Sequence, residues 1–253
     1  MNMAAGPDRA PMPAEVAAAR LQARLIGLLY VVIAVLAAFA EFYVRGGMIA
    51  AHDAAKTASN ILANQQLYRE AGAADIIVLA CDVAVAILFY ALLKSVNRTV
   101  ALLSAAFRIA LVAVNGAAVL THFAPLVLLG GDQGMSGLST AQAQALALLS
   151  LKLHSTAFSV AIVFFGIHCV LVGYLLYGSR FVPRIFGVLW VLAGTVYVIH
   201  SLLDLVAVHL PGSFADILLL IAGLSELSLA PWLLIAAVDP IKWQARVAAS
   251  GGV

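Results

Sequence analysis

Six segments of this 253-residue chain are each long and apolar enough to cross a lipid bilayer. A membrane-spanning helix needs about 20 mostly apolar residues, because each residue advances the helix axis by about 1.5 Å. The whole chain is 64% hydrophobic and only 10% charged, so it has too little polar surface to cover a soluble globule of this length. We therefore predict an all-α integral membrane bundle with six spans, at approximately Arg24–Val44, Ala73–Leu93, Val100–Leu128, Leu146–Tyr177, Arg184–Val208 and Phe214–Val238.

The basic residues predict how this bundle is oriented. Connections as short as KSVNRT, after the second span, and GSRFVPR, after the fourth, require antiparallel neighbours. One side of the bundle then holds chiefly Arg45, Lys56 and Arg69, and the positive-inside rule predicts that the opposite side, which holds both termini, is cytoplasmic. The basic residues on that side are Arg20, Arg24, Lys94, Arg98, Arg180, Arg184, Lys242 and Arg246.

Three stretches lie outside the six spans of the membrane domain, which we place at residues 20–240. Residues 1–19 lack the apolar segment of a secretory signal, and we expect them to be a disordered cytoplasmic N-terminus. Residues 241–253 are expected to form a cytoplasmic tail. Between the first two spans, apolar residues at helical spacing over about 57–70 predict a short amphipathic helix on the outer surface.

The net charge of the chain and the positions of its basic residues indicate which partners to expect. The formal charge is only +2, and the basic residues lie at the ends of apolar runs, where they form no patch. Nucleic acid is therefore not expected as a partner. The expected partners are membrane lipids and a lipid-like or small amphiphilic ligand inside the bundle, and the composition leaves oligomerisation open.

Ionisable side chains fall inside the predicted spans, where each costs several kcal/mol unless it faces the bundle interior and finds a partner. Counting residues from the cytoplasmic end places Asp82 and Glu226 near the middle of the bilayer. The same count places His122 and His154 in the outer half. These groups predict one polar cavity in the outer half of the bilayer, between the second, third, fourth and sixth spans.

Helical phase indicates which polar groups meet. Arg108, Asn115 and His122 are seven residues apart and form one stripe on the third span. His154 and His168 are fourteen apart and share a face of the fourth span. Because neighbouring spans are antiparallel, Arg108 is predicted to lie level with His168, and His122 level with His154.

Two smaller patterns predict packing contacts. Glu41 and Arg45 are four residues apart, a spacing that favours a salt bridge near the outer interface. Glycines spaced by seven within the fourth and fifth spans predict close helix packing, and they are Gly166, Gly173, Gly187 and Gly194.

Several motifs carry a resemblance to a known family. AEFYVRG ends the first span, CDVAVAILFYALLKSVN covers the second, THFA lies on the third, and FFGIHCVLVGYL on the fourth is the most specific block. From about Arg24 to Val238 the chain resembles a bacterial family of multi-pass membrane proteins catalogued as a domain of unknown function. The resemblance implies a bacterial inner-membrane protein and no particular reaction, and His200 lies outside the family pattern.

The histidines and carboxylates suggest a metal-dependent membrane enzyme as the first hypothesis. Zinc prefers imidazole and carboxylate ligands, so His122 and His154, helped by Asp82 or Glu226, are the predicted metal ligands. Zinc with an open position lowers the pKa of its bound water to about 7. Such a site would hydrolyse lipid-like esters or amides, with Asp82, Glu226 and Arg108 as the predicted catalytic side chains.

A second hypothesis uses the charged groups without a metal. In a small-molecule or proton-linked transporter or receptor, Glu41, Asp82 and Glu226 would bind protons. Arg108 would then face an anionic ligand. This hypothesis needs neither metal nor haem.

A third hypothesis is a single b-type haem. The spacing of His154 and His168 is similar to that of the cytochrome b family, in which facing helices each provide such a pair. Only one pair has this spacing here, and Arg108 lies opposite His168, so two haems are disfavoured. One haem would be held by His154 with His122 or His200.

Overall fold

The structure, a computed structural model, describes residues 14–130, 137–208 and 210–249. Within these ranges the chain is helical and contains no strand, which confirms the predicted fold class. Six helices are long and apolar enough to cross a membrane: Ala14–Met48, Gln65–Leu93, Arg98–Leu128, Thr140–Ser179, Arg184–Leu205 and Gly212–Ile235. Large apolar side chains such as Leu28, Ile87 and Leu120 remain exposed on their outer faces, as lipid contact requires.

Two boundaries differ from those expected from the sequence. Residues 14–19, expected to be disordered, form the first turns of the first span, whereas residues 1–13 lie outside the described residues. The amphipathic helix is Ala54–Ala63, and the second span begins directly afterwards at Gln65 instead of Ala73. Residues 65–70, which were predicted to belong to the surface helix, instead begin the second span, where Tyr68 is fully buried.

The six spans pack in chain order as a closed ring. Each span contacts the next, and the last part of the sixth, Leu229–Ile235, packs on the first. The C-terminal helix Pro240–Ala249 joins the loops at one end, since Arg246 Nη2 donates to the Val96 carbonyl oxygen at 3.0 Å. We call this end the tail face and the opposite end, which carries Ala54–Ala63, the cap face.

Local caps fix where several helices begin. The Asn97 side chain accepts from the Val100 N–H at 3.0 Å and starts the third span. Ser139 and Gln142 form a reciprocal capping box at the start of the fourth. At the tail face, hydrogen bonds led by the Lys242 backbone N–H lower the pKa of the Asp239 carboxyl. These interactions satisfy N–H groups that the first turn of a helix leaves without partners.

Glycine contacts hold the fourth and fifth spans together, as their spacing predicted. A Cβ placed on Gly166 would lie 2.7 Å from the Gly194 carbonyl oxygen, and one on Gly173 would lie 2.7 Å from the Gly187 carbonyl oxygen. No side chain fits at that distance. The two backbones therefore pack directly against each other.

The sixth span is divided into two helices, Gly212–Leu227 and Leu229–Ile235. Pro231 has no N–H with which to continue the hydrogen-bond ladder, so the division at Ser228 has a direct cause. The third span, by contrast, continues through Pro125 to Leu128.

Candidate functional site

A fully buried arginine lies near the middle of the bundle. Nε and Nη2 of Arg108 both donate to Asp82 Oδ1, at 3.1 and 2.6 Å, and Nη1 donates to the Tyr30 hydroxyl. The guanidinium carbon also lies 4.9 Å from the Tyr30 ring centroid and 5.4 Å from that of Phe165. Arg108 is only 1% exposed, so this charge is stabilised entirely by protein contacts.

His168 completes this group and lies level with Arg108, as depth counting predicted. Its Nδ1 lies 2.8 Å from the Ser104 carbonyl oxygen, which can only accept, so Nδ1 carries the proton. Its Nε2 then accepts from Arg108 Nη1 at 3.1 Å. Both ring nitrogens are engaged. We call Tyr30, Asp82, Arg108 and His168 the central cluster.

Glu226 lies beside the central cluster without pairing to it. Its carboxylate accepts from the Tyr197 hydroxyl at 3.0 Å, and its backbone carbonyl accepts from Trp190 Nε1 at 3.2 Å. The side chain is buried in the last turn before the division of the sixth span. This carboxylate is therefore positioned by the fifth span.

A second charged group lies at the end of the first span, where Phe39–Arg45 form a π-helical segment. The predicted salt bridge is confirmed, with Arg45 Nε 2.7 Å from Glu41 Oε2. Arg45 also binds both oxygens of Asp75, through Nη1 at 2.7 Å and Nη2 at 3.1 Å. π-Helical turns are rare and are frequent at functional sites.

His122 contacts both Arg45 and the second span. Its Nε2 lies 3.0 Å from the Tyr68 carbonyl oxygen and therefore carries the proton, while Nδ1 lies 3.5 Å from Arg45 Nη1. The Tyr68 hydroxyl donates back to the His122 carbonyl at 2.6 Å, and the two rings stack at 4.2 Å. We call Glu41, Arg45, Asp75 and His122 the cap cluster.

His154 lies level with His122, as predicted, with ring centroids 5.9 Å apart. Its Nδ1 lies 2.9 Å from the Ala118 carbonyl oxygen and so carries the proton. The other nitrogen, Nε2, therefore holds a free lone pair and has no hydrogen-bond partner among the residues that the structure describes. The residue is only 8% exposed.

Two adjoining cavities, which together we call the groove, are both lined by His154; the smaller lies among the first four spans and the larger between the first and the fourth. The smaller, of about 90 Å³, is lined by Ala37, Glu41, Arg45, Asp75, Val78, Leu79, Asn115, Val119, His154 and Phe158. The larger, of about 330 Å³, is lined by Glu41, Arg45, Gly46, Ile49, Ala51, Leu148, Leu151, Lys152, His154, Ser155 and Phe158. Ala51 is exposed in the loop after the first span, so the larger cavity opens toward the cap face.

The walls of the groove are mainly apolar, and its polar atoms are few and partly unengaged. Asn115, the middle residue of the predicted stripe, is half-buried against the smaller cavity. Its side-chain amide has no hydrogen-bond partner within the described ranges. Apolar walls with a few converging polar groups are typical of small-molecule sites.

The four predicted zinc ligands are not brought together. Asp82 pairs with Arg108 in the central cluster and Glu226 lies beside it, whereas His122 and His154 lie at the cap cluster. The fourteen residues that separate the two levels correspond to about 21 Å along a helix. The structure thus contains two polar levels where one cavity was predicted.

The hydrogen bonds of the histidine ring nitrogens determine which of them could bind a metal or a haem. Tyr68 and Arg45 engage the two nitrogens of His122, which leaves only His154 with a free lone pair on this level. Across the described residues, no group of three or more His, Cys, Asp or Glu side chains is placed to hold a metal ion. The ligand set predicted for zinc is therefore not assembled, and of the pair His122 and His154 predicted for haem, only His154 has an unengaged ring nitrogen.

His200 and Asp204 share a face of the fifth span, as their spacing predicts. They line a separate cavity of about 80 Å³ at the loop to the sixth span. Asp204 accepts from the Ser159 hydroxyl at 2.8 Å. Neither residue reaches the groove.

The sequence did not reveal the partners that organise the site. Asp75 shares a helical face with Asp82 and lies about level with Arg45. Depth counting could therefore have paired Asp75 with that arginine. Tyr68 could not have been found, because the polar residues around it suggested a surface helix. The unengaged nitrogen of His154 follows only from the position of the Ala118 carbonyl.

Comparison with known proteins gives a family without an assigned activity. The family model described as Domain of unknown function (DUF4386) matches residues 25–237. An uncharacterised protein of Archaeoglobus fulgidus is 29% identical over 132 residues, which are 50% of this chain and 62% of that protein. The chain thus spans 62% of the length of this curated relative. No solved structure matches the chain.

Proposed function

We infer that this chain, which belongs to the DUF4386 family, is a multi-pass membrane protein that binds a small amphiphilic molecule, without a metal, in the groove. One observation carries this proposal: the groove combines apolar walls with polar side chains, His154 and Asn115, that line it and have atoms without a protein partner among the described residues. Polar atoms among apolar walls are typical of small-molecule sites, and a bound molecule with matching groups would supply the hydrogen bonds that the protein does not.

The position of the groove near a membrane surface fits the binding of an amphiphile. His122 is 24 residues from the start of the third span, which is about 36 Å at 1.5 Å per residue. The hydrocarbon core of a bilayer is about 30 Å thick, so the cap cluster lies near a membrane surface. An amphiphile reaches that level from either lipid or water.

The central cluster offers no comparable site. The Nε, Nη1 and Nη2 atoms of Arg108 all donate hydrogen bonds, to Asp82, Tyr30 and His168. Arg108 does not line the groove. A charge satisfied in this way stabilises one packing of the helices. We assign the central cluster a structural role, including its Asp82 and Arg108, which the sequence suggested as catalytic.

Replacing Asn115 with leucine is expected to abolish ligand binding while preserving the fold, because the leucine fills the smaller cavity and breaks no hydrogen bond. The measurement is the unfolding midpoint of the protein in lipid nanodiscs with octylamine, 1-octanol or octanoate. A ligand at ten times its dissociation constant stabilises the folded state by about 1.4 kcal/mol. At least one probe should stabilise the unmodified protein and not Asn115→Leu.

The control is His200→Leu, which changes a half-buried polar residue at the separate cavity. It should respond to the probes like the unmodified protein. The proposal fails if none of the three probes stabilises the protein, or if Asn115→Leu responds to the same extent.

We also propose an inner-membrane location with both termini in the cytoplasm. The support is the concentration of basic residues on the tail face. In intact bacterial cells, a membrane-impermeant maleimide should label Ala51→Cys at once and Ala248→Cys only after permeabilisation, since both positions are exposed on opposite faces. The unmodified chain, with Cys81 and Cys169, serves as the blank. Labelling in the reverse order would refute the orientation.

A further inference from the structure

We propose that the ligand of the groove is an apolar molecule with a primary ammonium head group, which the smaller cavity receives. This inference rests on the proposed function above and names the ligand class of the same site. Three features support it: the charge of the smaller cavity, the hydrogen-bonding state of its polar atoms, and the sizes of the two cavities.

The smaller cavity carries one unbalanced negative charge. Its lining contains one cation, Arg45, and two carboxylates, Glu41 and Asp75, and both carboxylates already bind that arginine at 2.7 Å. Lys152 lines only the larger cavity and is exposed. A cation in the smaller cavity would balance the charge, whereas a carboxylate head group would add a second unbalanced one.

The polar atoms left without partners are chiefly acceptors. His154 presents the lone pair of Nε2, and Glu41 presents Oε1, which has no hydrogen bond among the described residues. The Asn115 amide on the same cavity adds a third acceptor, its oxygen, together with one donor group, its NH2. A primary ammonium has three N–H donors and no acceptor, which matches these three atoms. Four of the five N–H donors of the Arg45 guanidinium are already engaged by Asp75, Glu41 and His122.

The sizes of the cavities favour an organic ammonium over an inorganic cation. The smaller cavity, of about 90 Å³, has room for a head group of a few atoms, since one water takes about 30 Å³ of liquid. The larger cavity, of about 330 Å³, continues from it along Ile49, Leu148, Leu151 and Phe158. An apolar body would cover these side chains, and a bare cation would leave them uncovered.

The test compares the affinities of octylamine, 1-octanol and octanoate for the protein in phosphatidylcholine nanodiscs, with empty nanodiscs subtracted. Octylamine should bind about tenfold tighter than 1-octanol, and octanoate should not bind, since charge-assisted hydrogen bonds are about twice as strong as neutral ones. Glu41→Gln should remove this preference and keep 1-octanol binding. The Glu41 side chain is 51% exposed, so the variant is expected to fold. His154→Gln should weaken octylamine, and His200→Leu should not.

Each failure has its own signature. If 1-octanol or octanoate binds as tightly as octylamine, and Asn115→Leu still abolishes binding, the groove function stands and the ammonium inference is overturned. If sodium or ammonium chloride alone stabilises the protein as much as octylamine does, the site takes an inorganic cation and the inference is also overturned. If no probe responds to Asn115→Leu, both proposals fail.

Discussion

Replacing Asp82 with leucine is expected to lower the free energy of unfolding by about 3–5 kcal/mol, the loss seen when one partner of a buried ion pair is removed. The variant leaves the Arg108 guanidinium, which is 1% exposed, without its counter-charge near the middle of the bundle. The measurement is reversible unfolding in mixed micelles, followed by far-ultraviolet circular dichroism.

The double variant Asp82→Leu with Arg108→Met separates this charge effect from a loss of packing. Removing both charges should recover part of the lost stability, because the unpaired cation is gone even though Tyr30 and His168 each lose a partner. Residues in one network show coupling energies of about 0.5–3 kcal/mol. A loss below about 1 kcal/mol for Asp82→Leu would contradict the structural role assigned to the cluster.

Replacing Gly173 with alanine is expected to destabilise the protein by about 1–3 kcal/mol, the usual effect of overpacking a close-packed interior. The added methyl group would lie 2.7 Å from the Gly187 carbonyl oxygen and 2.8 Å from the Val191 backbone nitrogen. Both neighbours are backbone atoms, so relief requires the fourth and fifth spans to move apart. The measurement is the unfolding midpoint of the purified protein.

Gly116→Ala is the matched control, since it also lies inside a span. Its nearest neighbour outside its own helix is a Leu79 methyl carbon at 3.9 Å, an ordinary contact. Alanine loses less backbone freedom than glycine on folding, so this variant should be neutral or stabilising by up to about 1 kcal/mol. Equal losses in the two variants would show that the close approach of the spans is not the cause.

The ligand experiments test the residues that line the groove, and the stability experiments test the central cluster and the glycine contacts. Variants of the central cluster and of the glycine contact should change stability without altering the preference among the octyl probes, because neither set lines the groove. Asn115→Leu should do the reverse. The two classes of result together would distinguish residues that hold the bundle from residues that meet a ligand.

The sequence by itself determined the six spans, the fold class and the family resemblance, because apolar runs of sufficient length have one stable arrangement in lipid. It also determined which groups lie level. Depth and helical phase correctly predicted the contact of Arg108 with His168 and the approach of His122 to His154. Both quantities follow from helix geometry alone.

The tertiary structure decided what those groups do. Distances and angles, which no spacing contains, determine that Asp82 binds Arg108 and that Asp75 binds Arg45, so the carboxylates counted toward a zinc site are already used. The state of each imidazole depends on which backbone carbonyl it meets, Ser104, Tyr68 or Ala118. Only the last of these contacts leaves a nitrogen free beside a cavity. Depth and face could be calculated from the sequence, whereas hydrogen-bond partners depend on how the six helices pack.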